Sequence, residues 1–152
     1  RPEKSLELLK NSLAEVLEYA VEKKVRIGME YEPGLLVESF GELKDLIDSV
    51  GCEQFGANLD LGHSHVLGEN PREVLEGLSS KIFHIHIEDI LAGKHYHLPP
   101  GEGDLDFKGI FKVLRDVNYS GFVTVELYTF PDEPGQVAKR AFEYLNDLES
   151  NL

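Results

Sequence analysis

Between Glu3 and about Lys24, apolar residues recur at helical spacing (Leu6, Leu9, Leu13, Val16, Leu17, Ala20) with charged residues between them. The period then changes. Val25 to Glu30 alternates as a strand does and is stopped by Glu32-Pro33-Gly34. Ser39 followed by Glu42 reads as a capping box, opening a helix that carries Leu43, Leu46, Ile47 and Val50 and ends at Gly51. Phe55 to Leu61 is the next strand. Asn70-Pro71 supplies a cap and a first-turn proline for a helix bearing Val74, Leu75 and Leu78. Ile82 to Ile87 is a third strand, and a polar, Gly/Pro-rich loop covers Leu91 to Leu105. Asp106 caps a helix with Ile110, Phe111, Leu114 and Val117. Phe122 to Leu127 is the fourth strand, and Pro134 to Leu148 closes with a helix.

Strands alternating with helices predict βα units and a parallel sheet, within one domain over 1–152. Residues two apart in a strand share a face. Val25, Ile27 and Met29 therefore oppose Arg26, Gly28 and Glu30, and Phe55, Ala57 and Leu59 oppose Gly56, Asn58 and Asp60. Phe83, Ile85 and Ile87 oppose Ile82, His84, His86 and Glu88, while Val123, Val125 and Leu127 oppose Phe122, Thr124 and Glu126. One face of every strand suits covering helices. The other ends in an acid or an imidazole, which a doubly wound open sheet, apolar on both faces, would not carry. A (β/α)8 barrel has an interior where such groups converge, with its active site at the C-terminal strand ends. Four βα units are half of one. The pattern thus predicts an α/β half-barrel with exposed edges at Val25–Glu30 and Phe122–Leu127, to be completed by a second copy or an N-terminal half. Residue 1 is Arg and no strand precedes the first helix, which fits processing or the C-terminal part of something longer.

The formal net charge is −13, from 28 acidic and 15 basic side chains. Phosphate backbones are bound through Lys and Arg, so this balance predicts no nucleic-acid partner and suits a small-molecule enzyme. The single cysteine, Cys52, fits a reducing cytoplasm, and no apolar run is long enough to predict a membrane span.

Glu30, Asp60, His86 and Glu126 lie at matching depths on the polar face. Together they make a hard, oxygen-rich site with one imidazole, predicted to hold one divalent metal ion (Mn²⁺, Mg²⁺, Co²⁺ or Zn²⁺). Glu32 shares the face of Glu30, so the ligand there is either of the two, with Glu30 preferred because it ends the strand. In Asp60-Leu-Gly-His63-Ser-His65, His63 is expected to turn over the site and bind substrate or a second metal, and His65 to lie in an exposed polar loop or beside it. His84 reads as a hydrogen-bonded residue deeper in the interior; Glu88 and Asp89 follow, and Asp89 would face the helices unless the strand has already ended, which leaves its role open. The loop His95-Tyr-His97-Leu-Pro-Pro-Gly101-Glu102-Gly103 lies on the same side by connectivity, and its glycines permit close backbone approach to a ligand. Surface turns use the same residues; Glu102 is the loop's candidate for substrate contact.

The strings Arg26-Ile-Gly-Met-Glu30, Asp60-Leu-Gly-His63, His84-Ile-His86-Ile-Glu-Asp89, His97-Leu-Pro-Pro-Gly-Glu-Gly103 and Gly121-Phe-Val-Thr-Val-Glu126 resemble the C-terminal half of the xylose isomerase-like TIM barrels. That superfamily joins sugar (phosphate) isomerases and epimerases to endonuclease IV. The resemblance implies Glu30, Asp60, His86 and Glu126 as metal ligands. It further implies that Glu30 and Glu126 move a proton to and from the carbon beside a substrate carbonyl, through an enediolate. His63 and His97 would contact a sugar or polyol substrate. Endonuclease IV carries Asp-Arg-His where this chain has His95-Tyr-His97, which disfavours the alternative of a zinc phosphodiesterase. A non-catalytic barrel fragment that binds metal or a partner is the third reading.

Overall fold

A computed structural model describes residues 2–152. Six helices and a 3₁₀ turn alternate with four parallel strands and one hairpin. The helices are α1 (Pro2–Lys23), α2 (Phe40–Val50), α3 (Leu61–Val66), α4 (Pro71–Leu78), α5 (Phe107–Asp116) and α6 (Pro134–Ser150). The strands are β1 (Ile27–Met29), β2 (Phe55–Asp60), β3 (Ile82–Ile87), β4 (Asp89–Leu91), β5 (Lys94–Leu98) and β6 (Val123–Val125). β1, β2, β3 and β6 form one parallel sheet in that order. Chain order and spatial order coincide, as right-handed βα crossovers running round a barrel require.

Local chemistry explains the element ends. Ser39 Oγ accepts the Glu42 N–H at the start of α2, and Gly51 takes φ 63° at its end, a left-handed position that glycine adopts without Cβ strain. Asn70 caps α4 ahead of Pro71, and Asp106 caps α5 through the Gly109 N–H. The outward faces of the strands, with Phe55, Ala57, Leu59, Ile85 and Ile87 fully buried, pack under Leu43, Leu46 and Ile47 of α2, Val74, Leu75 and Leu78 of α4 and Phe107, Ile110 and Leu114 of α5. Each such Leu, Ile or Phe contributes about 1.5–3 kcal/mol by leaving water. The concave face is open: Arg26, Gly28 and Thr124 are exposed on it, and β1 and β6 are free edges flanked by Val25 and the 80% exposed Phe122.

Three expectations are corrected. Leu91–Leu105 is not one loop, because β4 and β5 pair as an antiparallel hairpin turning at Ala92-Gly93, both with positive φ. The segment after β2 is a short helix, α3, whose N-cap is Asp60 itself. Phe83 does not join the helix-facing side. The β2–β3 register passes from Ala57↔Ile82 to Asn58↔His84, so a bulge at Phe83 turns its ring onto the concave face. There the Arg26 guanidinium lies 4.7 Å from the ring centroid, and Gly56 leaves the space the ring needs: a Cβ at 56 would sit 2.7 Å from it. The same bulge keeps His84 and His86 in phase with Asn58 and Asp60.

Candidate metal centre

Glu30 and Glu126 stand one residue beyond the ends of β1 and β6, Asp60 ends β2, and His86 is the penultimate residue of β3. The register pairs Asp60 with His86, and Glu126 N–H donates to the Ile87 carbonyl, so all four reach one level of the sheet. One ligand atom from each lies within 4.8 Å of the other three. His86 Nδ1 is 3.5 Å from Glu30 Oε2 and 3.3 Å from Glu126 Oε2. Asp60 spends Oδ1 on the His63 N–H at 2.8 Å, whereas its buried Oδ2 has no hydrogen-bond partner among the described residues. A buried, unpaired carboxylate oxygen beside two further carboxylates is costly unless a cation shares it. Burial, with repulsion from Asp60 and Glu126, raises the Glu30 pKa. The donor set therefore fits a hard or borderline divalent ion.

Residues with no assigned role support this set. The Asn58 amide donates to Glu30 Oε2 at 2.7 Å and lies 3.3 Å from His86 Nδ1, bridging two candidate ligands. The Tyr31 carbonyl accepts from His63 Nδ1 at 2.8 Å, which fixes the tautomer and leaves Nε2 bare when the ring is neutral. The Tyr31 hydroxyl donates to Glu69, which in turn accepts the Phe40 N–H, so the β1–α2 loop is tied to the end of α3. Parity had already placed Asn58 on the polar face, a signal of its role. Nothing in the sequence pointed to Tyr31, because its contact with His63 is made through its main chain.

Glu88 is the largest addition. It is fully buried, neither carboxyl oxygen has a hydrogen-bond partner among the described residues, and it clusters with Asp60 and His63. Burial first, then the Asp60 charge, pushes its pKa up to about 10. Gly62 makes room for it, since a Cβ there would lie 1.8 Å from Glu88 Oε1. Asp89, beyond the end of β3, gathers the glycine-rich loop: its carboxylate accepts from Ile90, Gly101, Gly103 and Leu105 N–H at 2.8–3.1 Å.

The remaining candidates separate. His63 and His97 are buried in the site, and with His95 they form a second group of imidazoles whose ring nitrogens lie within 4.8 Å of one another. Burial, then the neighbouring His63 and His97, lowers the His95 pKa, and its Nε2 lacks a partner. A cavity of about 350 Å³ opens over these groups, with Glu32, Leu35 and Tyr128 at its rim. Glu30, not Glu32, belongs to the ligand group. Glu102 is not among the residues that line this cavity and lies 3.7 Å from Arg140 on the surface. The loop that carries it is folded back by Asp89. His84 bonds Thr124 at 2.8 Å but is only partly buried, because the barrel interior above it is open, and His65 pairs with Asp104 at 2.8 Å.

Residues 1–148 match a family model described as xylose isomerase-like TIM barrel. An inosose dehydratase of Clostridium perfringens is 30% identical over 152 aligned positions, which take in 88% of this chain and 51% of that protein. An inosose isomerase of Halalkalibacterium halodurans is 29% identical over 126, or 78% of this chain and 45% of the relative. The chain thus spans about half the length of the curated relatives it matches. A crystal structure of the IOLI protein with a binding zinc atom superposes with a TM-score of 0.79 at 25% identity, covering 99% of this chain and 57% of that one.

Proposed function

Because the chain belongs to the xylose isomerase-like TIM-barrel family, we propose that it forms the metal- and base-bearing C-terminal half of a sugar or polyol isomerase or epimerase. A partner half-barrel, either a second copy or an N-terminal half, would cover the free edges of β1 and β6. The convergence of Glu30, Asp60, His86 and Glu126 carries the reading. These four residues would hold one divalent ion, which when bound supplies positive charge next to the substrate oxygens. Relatives named as inosose isomerase and dehydratase, and the zinc in the IOLI structure, support both parts.

Glu30 and Glu126 both reach His86 Nδ1, at 3.5 and 3.3 Å, and a substrate carbon seated between the two carboxylates would meet one of them on each face. One takes the proton from the carbon beside the carbonyl, and the other returns it. The raised pKa of Glu30 suits the base, since a stronger proton acceptor nearer neutrality transfers protons better. Asn58 holds Glu30 Oε2 in place, which leaves Oε1 for the transfer. The buried His63 and His97 would hydrogen-bond substrate hydroxyls, with Glu32 at the rim.

Solvent-deuterium incorporation beside the carbonyl of a panel of ketoses and inososes tests this. Glu126→Gln should lower the exchange rate by about 10²–10⁴-fold, the usual yield of a general acid or base. Exchange that survives in both Glu30→Gln and Glu126→Gln would overturn it. The three-imidazole group favours one other reading, a zinc phosphodiesterase with more than one ion. Metal analysis separates them: one ion per chain supports the isomerase, and two or three zinc ions support the phosphodiesterase.

A further inference from the structure

Two of the imidazoles over the cavity ride on neither a barrel strand nor a helix. His95 and His97 belong to β5, whose sole strand partner among the described residues is β4. A two-stranded ribbon is marginal by itself, so its neighbours decide where its side chains stand. The root of the hairpin is well tied. Asp89 gathers the loop behind it, Thr129 Oγ1 donates to the His97 carbonyl at 3.2 Å, and His97 Nδ1 lies 3.2 Å from the Glu126 carbonyl. The tip turns at Ala92 with φ 54°, a left-handed position that strains a residue with a Cβ. There Asp104 takes hold. Its Oδ2 accepts the Ala92 N–H at 2.9 Å, its own N–H donates to the Ile90 carbonyl at 2.8 Å, and its Oδ1 lies 2.8 Å from His65 Nε2.

His65 stands on α3 just after His63, so one carboxylate joins the hairpin tip to the helix that presents His63. Among the described residues no other direct hydrogen bond links α3 to the hairpin or to the loop after it. The two elements meet again inside the cavity, where the His63 and His95 rings pack edge to face with centroids 4.7 Å apart. The His65–Asp104 pair itself is exposed, at 35% and 46%, and exposed pairs add little to stability. Its weight falls on spacing, not on folding.

We infer that Asp104 and His65 are positioning residues, a clamp between the hairpin tip and α3 that sets His95 against His63 over the site. The clamp deepens the isomerase or epimerase reading, on which it rests. His95 sits nearer the tip than His97, and its Nε2 has no partner among the described residues, so it depends on the clamp most.

The test compares ring C–H contacts by NMR in the magnesium-loaded full chain, as the parent, as Asp104→Ala and as His65→Ala. A hard ion occupies the carboxylates and leaves the imidazoles free to move. The His63–His95 ring contact should be lost in both variants, while the His97–Tyr128 contact, with centroids 4.4 Å apart, persists. Urea midpoints should stay within about 0.5 M of the parent. A His63–His95 contact that survives in Asp104→Ala would overturn the inference. Survival in His65→Ala alone would reduce Asp104 to a local brace of the turn and overturn it equally. Loss of both ring contacts with a larger fall in the midpoint would mark a merely structural role, and it too would count against the clamp. In ketose deuterium exchange, Asp104→Ala should raise KM about tenfold with kcat held within about twofold, the pattern of lost uniform binding. Glu30 and Glu126 follow strands of the sheet and are not carried by the hairpin. A fall in kcat at unchanged KM would contradict the clamp. No exchange by the parent sinks the isomerase reading, and the ring contacts then decide the clamp alone. Ring contacts that survive in the variants while the parent exchanges sink the clamp and leave the isomerase reading intact.

Discussion

Replacing Glu88 by glutamine should stabilise the metal-free protein, and by an amount that grows with pH. Glu88 is fully buried without a partner for either carboxyl oxygen, and its pKa rises from the ordinary 4.5 to about 10. The folded chain therefore holds a proton that the unfolded chain releases above pH 4.5. A folded-state pKa above the unfolded one gives stability that is complete below 4.5 and declines as pH rises through the window up to 10. At pH 7 the chain has climbed about 2.5 pH units into that window, and at ~1.4 kcal/mol per unit the cost is about 3 kcal/mol. Glutamine keeps the shape, carries no ionisation and offers an N–H to the unpaired Asp60 Oδ2. Urea unfolding of both proteins in EDTA, from pH 5 to pH 8, should show less than ~1 kcal/mol between them at pH 5 and about 2–3 kcal/mol in favour of Glu88→Gln at pH 7. A difference that stays flat over this range, or a variant less stable than the parent at pH 7, would refute the reasoning.

Asp60→Asn should weaken Zn²⁺ or Mn²⁺ binding about 10–100-fold by isothermal titration calorimetry, the loss expected for one charge-assisted contact of ~1.5–3 kcal/mol. Unchanged affinity would take Asp60 out of the ligand set. Gly56→Ala should cost about 1–3 kcal/mol in urea melts, because its Cβ would lie 2.3 Å from the Lys81 carbonyl, a backbone atom that does not yield as a side chain does. Asp89→Asn should cost about 2–4 kcal/mol, since an amide oxygen replaces a carboxylate that accepts four N–H groups. Hydrogen exchange at Gly101, Gly103 and Leu105 should accelerate in that variant, and protection that persists would show that the loop holds itself.

Period-two alternation carried most of the fold. Ile27, Ala57, Leu59, Ile85 and Ile87 took the helix side, and Glu30, Asp60, His86 and Glu126 converged, because side-chain direction in a parallel sheet follows from parity once the strands are found. What escaped depends on contacts between distant segments. Phe83 breaks parity through a bulge that a glycine on the neighbouring strand makes possible. The β4–β5 hairpin lacks an Asn-Gly turn, and the polar Lys94-His-Tyr-His97 run gives little strand signal. Glu88 shared the inward parity of His86, yet parity does not reveal that a side chain is sealed off without a partner. Glu102 was read from its place in a glycine-rich loop, and only the bonds to Asp89 show that the loop folds back on itself.

The β6 edge has a further consequence, in time rather than in space. Asp60 and His86 stand on the six-residue inner strands β2 and β3, but Glu30 and Glu126 follow three-residue strands at the two margins of the sheet, and β6 is held to β3 on one side and preceded by the exposed Phe122. Short marginal strands open at free energies far below that of global unfolding. Each opening of β6 would withdraw one carboxylate and leave three ligand residues behind. The fraction of molecules with a complete ligand set is then governed by the fraying equilibria of the two edge strands, β1 and β6. A neighbour that hydrogen-bonds along β6 would lengthen the life of the set while touching none of its four side chains.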